Sequence, residues 1–410
     1  ATMADRMAES SDFRKQVFSK NYFNGGQKFG GYASDKWGAF RDFPVHHITA
    51  KHILARRPNS VIEIGAGRGY VLKRIQDEGI YGFGFEISRH CCMTRCCEGV
   101  LETDLCETPW KIDGHDAVQF DLSYSVATLE HIPAKHLPVV IKEMARVSRR
   151  GLHGIDFGHH DDGFDKSHIS LFPKEHWVEL FAEHAPGWPV ELVDKEELER
   201  GNMPEEIIKG DGKLKLNIGS HISQFHWGWE NIDVLDLSEF AQQNGYKFRQ
   251  LDVRGGLPYG TGSASLIFSH HFMEHLTYKE GLSFLRECRR VIRPEDGCIR
   301  IVVPDAGMLM DMYVGIEAGT GACTGFDLGV FDEINDGCAS SPTNAVKLYE
   351  LLLSGHQAIY DGETLVKLME DAGFVAEVKA FRQGHPQILK ETVEFLPCLS
   401  LFVEGRPRTK

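Results

Sequence analysis

A short glycine-rich motif, "VIEIGAGRGY" (61–70), has the residue types and spacing that suit binding of a small charged ligand. An apolar run precedes Gly65, and glycines recur at Gly67 and Gly69. The backbone can therefore turn tightly and a ligand can approach it closely. A helix that begins just behind this turn would place its N-terminal amide groups near a bound anion. The G-x-G-x-G spacing differs from the G-x-G-x-x-G spacing of dinucleotide-binding loops.

Three acidic residues stand where predicted strands end near this motif. Glu63 lies two residues before Gly65, Glu86 ends the next predicted strand, and Asp104 ends the third. A carboxylate at the end of the second strand could bind the hydroxyls of a ribose, and Asp104 could accept a hydrogen bond from an adenine amino group. The pattern therefore indicates a nucleoside ligand.

Histidines follow the fourth and fifth predicted strands. At this edge of the sheet a base could remove a proton from the hydroxyl of a bound substrate. His131 follows the fourth strand, although it could instead pack and cap the next helix. The stretch "DFGHHDDGFDKSHIS" follows the fifth, and either His159 or His160 is predicted to be catalytic, with a neighbouring aspartate as its orienting partner. We assign no metal ligands, although His159 and Asp161 could together reach a divalent cation, and the stretch could also be a solvated loop. Its histidines and acids are Asp156, His159, His160, Asp161, Asp162, Asp165 and His168.

A related but altered pattern begins at "LKLNIGSHISQF" (214–225). His221 stands where a second glycine would be expected after Gly219. Asp233 and Asp252 nevertheless follow the next two predicted strands, and "SHHFMEH" places His270 and His271 after the fourth. The second half could still bind a ligand, with one of these histidines as a base, or it could persist for packing alone.

Strands alternate with helical patterns in both halves, which predicts parallel sheets covered on both faces by helices. The fold class is therefore α/β, with two Rossmann-like doubly wound domains in tandem. The expected boundaries are a lid or clamp at 1–45, a first domain at 46–200, a linker at 201–212, and a second domain at 213–405 with an insertion at about 306–354. The N-terminal segment could equally be a surface wrap with no part in the chemistry.

Four motifs of the first half, "VIEIGAGRGY", "FEIS", "TDL" and "FDLSYSVATLEHIP", together resemble class I S-adenosylmethionine-dependent methyltransferases over residues 58–185. The resemblance implies seven-stranded-type sheets and S-adenosyl-L-methionine as the cofactor. It also implies a set of binding residues: Glu63, Gly65, Gly67 and Gly69 at the methionine end, Glu86 at the ribose, Asp104 and Leu105 at the adenine, and Ser125 beneath the cofactor.

The second half is similar to predicted methyltransferases associated with glycan and secondary-metabolite genes. The similarity rests on "LNIG", "GWENIDVLD", "LDVRGGLPY", "SLIFSHHFMEHLTYKEGLSFLRECRRVIRPEDGCIRIVVPD" and "YDGETLVKLMEDAGF", and covers residues 213–405. It implies cofactor contacts at Gly219, Asp233, Asp252 and Val253. The family's loop would read L-N-L-G-C-G, so His221 departs from it.

Composition narrows the classes of partner. The chain has 410 residues and a net charge of −14, which argues against a nucleic-acid partner. No apolar run is long enough to span a membrane and the N-terminus has no apolar signal core, so we expect a cytoplasmic protein without membrane contact. The ten cysteines are expected to be reduced thiols. In "CCMTRCC", Cys92 and Cys96 could share a helical face and bind a metal, although packing is the favoured interpretation.

The resemblance implies methyl transfer from S-adenosyl-L-methionine to oxygen or nitrogen of a small-molecule acceptor, such as a glycan or natural product. The N-terminal domain is expected to be catalytic and to pack on the second. Two alternatives stay open: both domains methylate successive positions of one molecule, or the chain is a non-catalytic cofactor-binding scaffold.

Overall fold

The computed structural model of the chain describes residues 2–23, 44–112, 119–158, 165–202, 205–317, 355–397 and 399–408. The chain divides into two compact units, Ala1–Met203 and Pro204–Lys410. Each unit contains its own sheet with helices along the connections between strands. The α/β class and the parallel-sheet, Rossmann-like architecture predicted from the sequence are confirmed.

The first unit has a sheet of six strands in the order β3-β2-β1-β4-β5-β6, and all of its pairings are parallel. The strands are β1 (Ser60–Ile64), β2 (Tyr81–Glu86), β3 (Val100–Glu102), β4 (Phe120–Val126), β5 (Ser148–Ile155) and β6 (Val190–Asp194). The described residues of the first unit thus form six strands, whereas the resemblance implies a sheet of seven. The chain enters a helix directly after β6, where Asp194 caps the helix N-terminus in a capping box, so no strand returns to the sheet there.

The described residues contain ten helices before the first strand of the second unit. They are α1 (Met3–Glu9), α2 (Ser11–Val17), α3 (Lys20–Phe23), α4 (Pro44–Leu54), α5 (Tyr70–Asp77), α6 (Arg89–Met93), α7 (Leu137–Val147), α8 (Lys174–His184), α9 (Lys195–Glu199) and α10 (Glu205–Lys209). The predicted N-terminal lid is thus helical as far as residue 23, and the predicted linker contains α10.

The second unit has a sheet of seven strands in the order β12-β13-β11-β10-β7-β8-β9. The strands are β7 (Leu214–Ile218), β8 (Glu230–Asp233), β9 (Lys247–Gln250), β10 (Ala264–His270), β11 (Cys298–Pro304), β12 (Phe374–Lys379) and β13 (Ser400–Pro407). β13 runs antiparallel to both β11 and β12, as predicted for a closing pair, and the other pairings are parallel.

Five further helices of the second unit follow α10 among the described residues. They are α11 (Ser238–Gln243), α12 (Tyr278–Val291), α13 (Ala306–Glu317), α14 (Gly362–Asp371) and α15 (Pro386–Glu391). The predicted insertion therefore begins as α13, and residues 318–354 lie outside the described residues. No helix in the described part of the chain is long and apolar enough to cross a bilayer.

The strand order reverses between β1 and β4 in the first unit and between β7 and β10 in the second. In doubly wound sheets a ligand binds in the crevice outside the carboxyl ends of the strands at such a point. β1 and β4 are buried strands of the first unit's core, so the residues that follow them are held on a rigid base. The fold thus places the candidate chemistry of each unit at this crevice.

Candidate active site

A cavity of about 300 Å³ lies at the carboxyl ends of β1, β2, β3 and β4 in the first unit. Residues from the N-terminal helices α2 and α3 and from α4 also line it. It brings together most of the residues that the sequence assigns to this unit's site: Glu63, Gly65, Gly67, Glu86, Asp104, Leu105 and His131.

The glycine loop between β1 and α5 is fixed by backbone hydrogen bonds to the end of β2. The amides of Gly65 and Ala66 donate to the carbonyl of Phe85, at 2.9 and 2.8 Å. Gly65 has φ +76°, and a β-carbon there would lie 2.4 Å from the side chain of Thr128. Only glycine fits this position, because a side chain would collide with the residue that follows β4.

Gly69 has a structural role at the start of α5. It is not among the residues that line the cavity; it adopts φ +80° and forms the N-terminal cap of α5. A β-carbon at Gly69 would lie 2.5 Å from the sulfur of Cys97. Gly69 therefore has a packing role, and its direct contact with the cofactor stays a prediction.

The cysteine-rich segment 91–97 forms hydrogen bonds to the glycine loop. The amide and thiol of Cys96 donate to the carbonyl of Arg68, and the thiol of Cys97 donates to the carbonyl of Gly69. Helix α6 ends at Met93, so Cys92 and Cys96 do not share a helical face. Buried thiols that pack against the loop agree with the favoured interpretation of this run.

Glu86 is oriented by two backbone amides. Its carboxylate accepts hydrogen bonds from the amides of Gly67, at 2.8 Å, and Ser88, at 2.7 Å. Burial raises the pKa of Glu86 from 4.5 to about 6, although both amides favour the ionised form. A carboxylate has lone pairs left after these two bonds, so ribose hydroxyls could still donate to it.

The raised pKa of Glu86 predicts that cofactor affinity depends on pH. Ribose hydroxyls bind the ionised carboxylate, so one pH unit below a pKa of about 6 we expect roughly tenfold weaker binding of S-adenosylhomocysteine at pH 5 than at pH 7. Calorimetric titration from pH 5 to pH 8 measures this difference. The Glu86→Gln variant is the control, because it cannot ionise. An equal tenfold loss in that variant would assign the dependence to another group.

The stability of the free protein should respond to Glu86 with the opposite sign. The folded state holds this proton more tightly than the unfolded chain does, because the folded pKa is the higher one. The contribution of Glu86 to the free energy of unfolding therefore falls as pH rises from 4.5 to about 6 and stays constant above that range.

Glu63 lines the same cavity and is buried near the end of β1. Burial raises the pKa of this carboxyl to about 8, so it is mostly protonated at neutral pH in the ligand-free protein. An ammonium group such as that of a methionine moiety would favour its ionised form. The geometry is consistent with the methionine end of a cofactor at this position.

Asp104 is bound by the N-terminal segment, a contact that the sequence did not predict. Arg14 of α2 donates to both carboxylate oxygens of Asp104, with distances between 2.7 and 3.1 Å, and the hydroxyl of Ser11 donates at 2.6 Å. Arg14 and Asp104 are both buried. Phe18, Tyr22 and Phe23 line the same cavity. Residues 2–23 thus cover the predicted adenine end of the site.

His131 lines the acceptor side of the cavity, in the 3-10 turn Leu129–His131 after β4. Its Nδ1 lies 3.1 Å from the carbonyl of Ser167 and 2.9 Å from the Ser167 hydroxyl, which in turn donates to Asp165 at 2.6 Å. A carbonyl accepts only, so Nδ1 carries the proton and Nε2 keeps a lone pair. Burial, and then the neighbouring His168, lower the pKa of His131 to about 4, so the ring is neutral at physiological pH.

The other predicted site residues of this unit are Ser125, His159 and His160. Ser125 is fully buried, bonds to Nδ1 of His153 at 2.9 Å and is not among the residues that line the cavity. It therefore bonds to β5 from inside the sheet, and its predicted place beneath the cofactor stays a prediction. His159 and His160 lie outside the described residues.

The second unit repeats the first part of the loop. The amides of Gly219 and Ser220 donate to the carbonyl of Ile232, and the amide of His221 donates to Asp233 at 2.8 Å. These bonds correspond to those of Gly65, Ala66 and Gly67 in the first unit. His221 adopts φ +33°, a backbone conformation that L-residues rarely take, so this position carries strain where the first unit has a glycine.

The second unit then departs from the first. All residues between β7 and β8 are described, and they form the 3-10 turn Ile222–Gln224 where the first unit has the α-helix α5. The helix N-terminus that favours an anionic group is thus missing here. Asp252 is exposed and bound by Arg254 two residues later. Both still line an open cleft with Gly219, Asp233 and Val253.

The two candidate bases of the second unit differ in accessibility. His270 is fully buried in β10, bonds to the backbone of Phe395 and is not among the residues that line the cleft. Its predicted role as a base stays a prediction, and its side chain is fully buried in this structure. His271 lines the cleft and bonds to Ser400 at 2.9 Å, and burial lowers its pKa to about 3.

Residues 230–299 of the chain match a family model described as a methyltransferase domain. This segment lies in the second unit and starts at β8, beyond the altered loop. The match supports an enzyme of the methyltransferase class that uses S-adenosyl-L-methionine as its cofactor. No curated protein matches the chain.

Several solved structures are similar in fold. The YcgJ protein from Bacillus subtilis is 13% identical, with 48% of this chain and 93% of that chain covered and a TM-score of 0.30. A SAM-dependent methyltransferase from Archaeoglobus fulgidus is 13% identical, with 48% and 87% covered and a TM-score of 0.30. A complex of DhpI with SAH is 14% identical, with 50% and 82% covered and a TM-score of 0.28. At these values no argument about substrate or mechanism rests on the likeness.

Proposed function

We propose that the first unit transfers a methyl group from S-adenosyl-L-methionine to an oxygen or nitrogen of a small-molecule acceptor. The observation that carries this proposal is the cavity of the first unit in which the glycine loop, Glu86, Asp104 and His131 meet. Glu63 and the loop would hold the methionine end of the cofactor, Glu86 the ribose, and Asp104 and Leu105 the adenine. A glycan or a natural product is the acceptor class that the sequence resemblance suggests.

Methyl transfer from a sulfonium needs positioning more than it needs covalent catalysis. The acceptor atom must approach the methyl group in line with the carbon–sulfur bond, and an acceptor hydroxyl must lose its proton. His131 lies on the cavity wall with a lone pair on Nε2, and its ring is oriented by Ser167, which donates to Asp165. The N-terminal helices contribute apolar side chains that would exclude water.

The second unit is proposed to be a methyltransferase-like domain without catalytic duty, which would make the chain a tandem of two related domains. The missing helix after β7 and the strained His221 support this assignment. The alternative in which both domains methylate one molecule needs cofactor in both clefts. The scaffold alternative needs cofactor binding with no transfer to any acceptor.

Calorimetric titration of S-adenosylhomocysteine into matched variants tests the assignment. Glu86→Gln and Asp233→Asn are equivalent changes, because each carboxylate accepts the same loop amide bond at 2.8 Å. We expect one site per chain, about thirtyfold weaker in Glu86→Gln because a charge-assisted bond is worth about 2 kcal/mol, and unchanged in Asp233→Asn. Two sites, one lost in each variant, would favour the two-domain alternative and contradict the proposal.

A further inference from the structure

We propose that His131, Asp165 and His168 of the first unit form a binding site for a divalent transition-metal cation beside the acceptor end of the cavity. One ligand-capable atom from each of these three residues lies within 4.8 Å of the other two. His168 Nε2 is 3.8 Å from Asp165 Oδ2, and the two imidazole rings have their centroids 4.6 Å apart. Two histidines and one carboxylate on one side of a cation leave further positions open.

The hydrogen bonds around the cluster orient its members as ligands. His131 gives its Nδ1 proton to Ser167, which leaves Nε2 free to bind a cation. Asp165 is held by the Ser167 hydroxyl and amide at Oδ1 and by the Tyr22 hydroxyl at Oδ2, at 2.6, 2.9 and 2.7 Å. Partners of this kind, which fix ring tautomer and carboxylate direction, usually surround metal ligands in proteins.

His168 provides the second, independent observation. Its Nδ1 is buried and has no hydrogen-bond partner in the described part of the chain. A buried polar nitrogen without a partner costs free energy, and a cation bound directly to this Nδ1 would offset that cost. The nearby ammonium of Lys195 is already paired with Asp156 at 2.9 Å, so it does not satisfy the cluster.

The second unit shows a similar arrangement at the equivalent place in its fold. His275 ends the 3-10 turn Met273–His275 after β10, and its Nδ1 lies 3.2 Å from the carbonyl of Gly355. It packs against His356 with ring centroids 4.9 Å apart, and Glu274 completes a group of three possible ligands. In both units, therefore, a histidine has its Nδ1 near a backbone carbonyl and its ring packed against a second histidine.

A cation at this place narrows the acceptor class, and this step rests on the proposed function. Its open positions would bind two neighbouring oxygen atoms of the acceptor, as in a vicinal diol, a catechol or a hydroxy acid. The cation lowers the pKa of the bound hydroxyl, so His131 would serve as a ligand and not as the base. The acceptor oxygen then bonds to the methyl carbon, the carbon–sulfur bond breaks with its electron pair on sulfur, and the hydroxyl proton leaves to solvent.

Titration with Co²⁺ tests the site without any need for turnover, since bound Co²⁺ gives a visible absorption spectrum. The variant His356→Gln serves as the starting protein, because it removes one ligand from the group in the second unit. We expect one bound Co²⁺ per chain in His356→Gln and a loss of at least tenfold in affinity when His168→Gln is added. His184→Gln, at the end of α8 and outside both groups, is the matched control and should bind as the starting protein does.

Failure of this proposal is distinguishable from failure of the proposed function. Absence of Co²⁺ binding in His356→Gln, or equal binding after His168→Gln is added, would overturn the metal site. Binding of S-adenosylhomocysteine, measured on the same variants, should stay within about twofold, because none of the assigned cofactor contacts is changed. A chain that binds Co²⁺ through His168 but binds no S-adenosylhomocysteine would keep the metal site and contradict the proposed function.

Discussion

Replacement of Gly67 by alanine should weaken S-adenosylhomocysteine binding at least hundredfold, because a methyl group forced into a fitted contact costs about 3 kcal/mol. Gly67 lines the cavity, has φ +54° and has nothing within 4 Å of the place where a β-carbon would lie. The protein itself therefore has room for the methyl group. The space it would fill is the space through which the loop backbone would approach the cofactor. Calorimetry of Gly67→Ala gives the loss directly.

Gly79→Ala is the matched control for this experiment. Gly79 has φ +81° and equally open space around its missing β-carbon, but it follows α5 and is not among the residues that line the cavity. Both substitutions should lower stability by about 1–2 kcal/mol, because alanine is strained in the left-handed region. Only Gly67→Ala should lose the ligand. Equal affinities in the two variants would mean that the cofactor does not contact this loop.

The substitution Arg300→Met should destabilise the second unit by about 3–5 kcal/mol. Arg300 in β11 is fully buried and donates to Glu394, which is also fully buried, to Glu404 at 3.0 Å, and to the carbonyl of Gln383 at 2.9 Å. Removing the guanidinium leaves two carboxylates in the interior without a cation. Urea unfolding followed by tryptophan fluorescence measures the change, since Trp229 lies in the same hydrophobic cluster as neighbours of Arg300.

Arg254→Met provides the comparison for that experiment. Arg254 pairs with Asp252 at 2.7 Å, but the two side chains are 56% and 45% exposed. An exposed pair of this kind contributes little to stability, because water and salt screen the two charges. Adding Glu394→Gln and Glu404→Gln to Arg300→Met should restore part of the lost stability. Equal effects of Arg300→Met and Arg254→Met would show that the buried network does not support the fold.

Local patterns were sufficient to predict much of the fold. The apolar runs before Gly65 and Gly219 became the central strands β1 and β7, and the last two strands pair antiparallel as expected. Two segments with similar beginnings fold differently after their first glycine. "NIGSHISQF" lacks the polar and apolar spacing of a helix, and it forms a 3-10 turn, yet its first amides bond as those of the intact loop do.

Parts of the candidate site depend on contacts between residues far apart in sequence. The pairing of Arg14 with Asp104 joins positions separated by 90 residues, and no local pattern marks either residue as a partner. The resemblance places Ser125 beneath the cofactor, and it gives no indication that this side chain bonds to His153 of β5. Asp165 and His168 belong to a stretch recognised as rich in acids and histidines. Their juxtaposition with His131 needed the folded chain.

The bond from a loop amide to the acid after the second strand has a consequence for how such acids are interpreted. In the first unit the amide belongs to Gly67 and the acid is Glu86; in the second the amide belongs to His221 and the acid is Asp233. The second pair persists although the loop behind it has no helix. The fold itself thus gives a reason to keep a carboxylate at this position, since it ties the first crossover to the second strand. A carboxylate at this position therefore stabilises the fold first, through its bond to the loop amide. The same oxygen atoms can in addition bind a nucleoside.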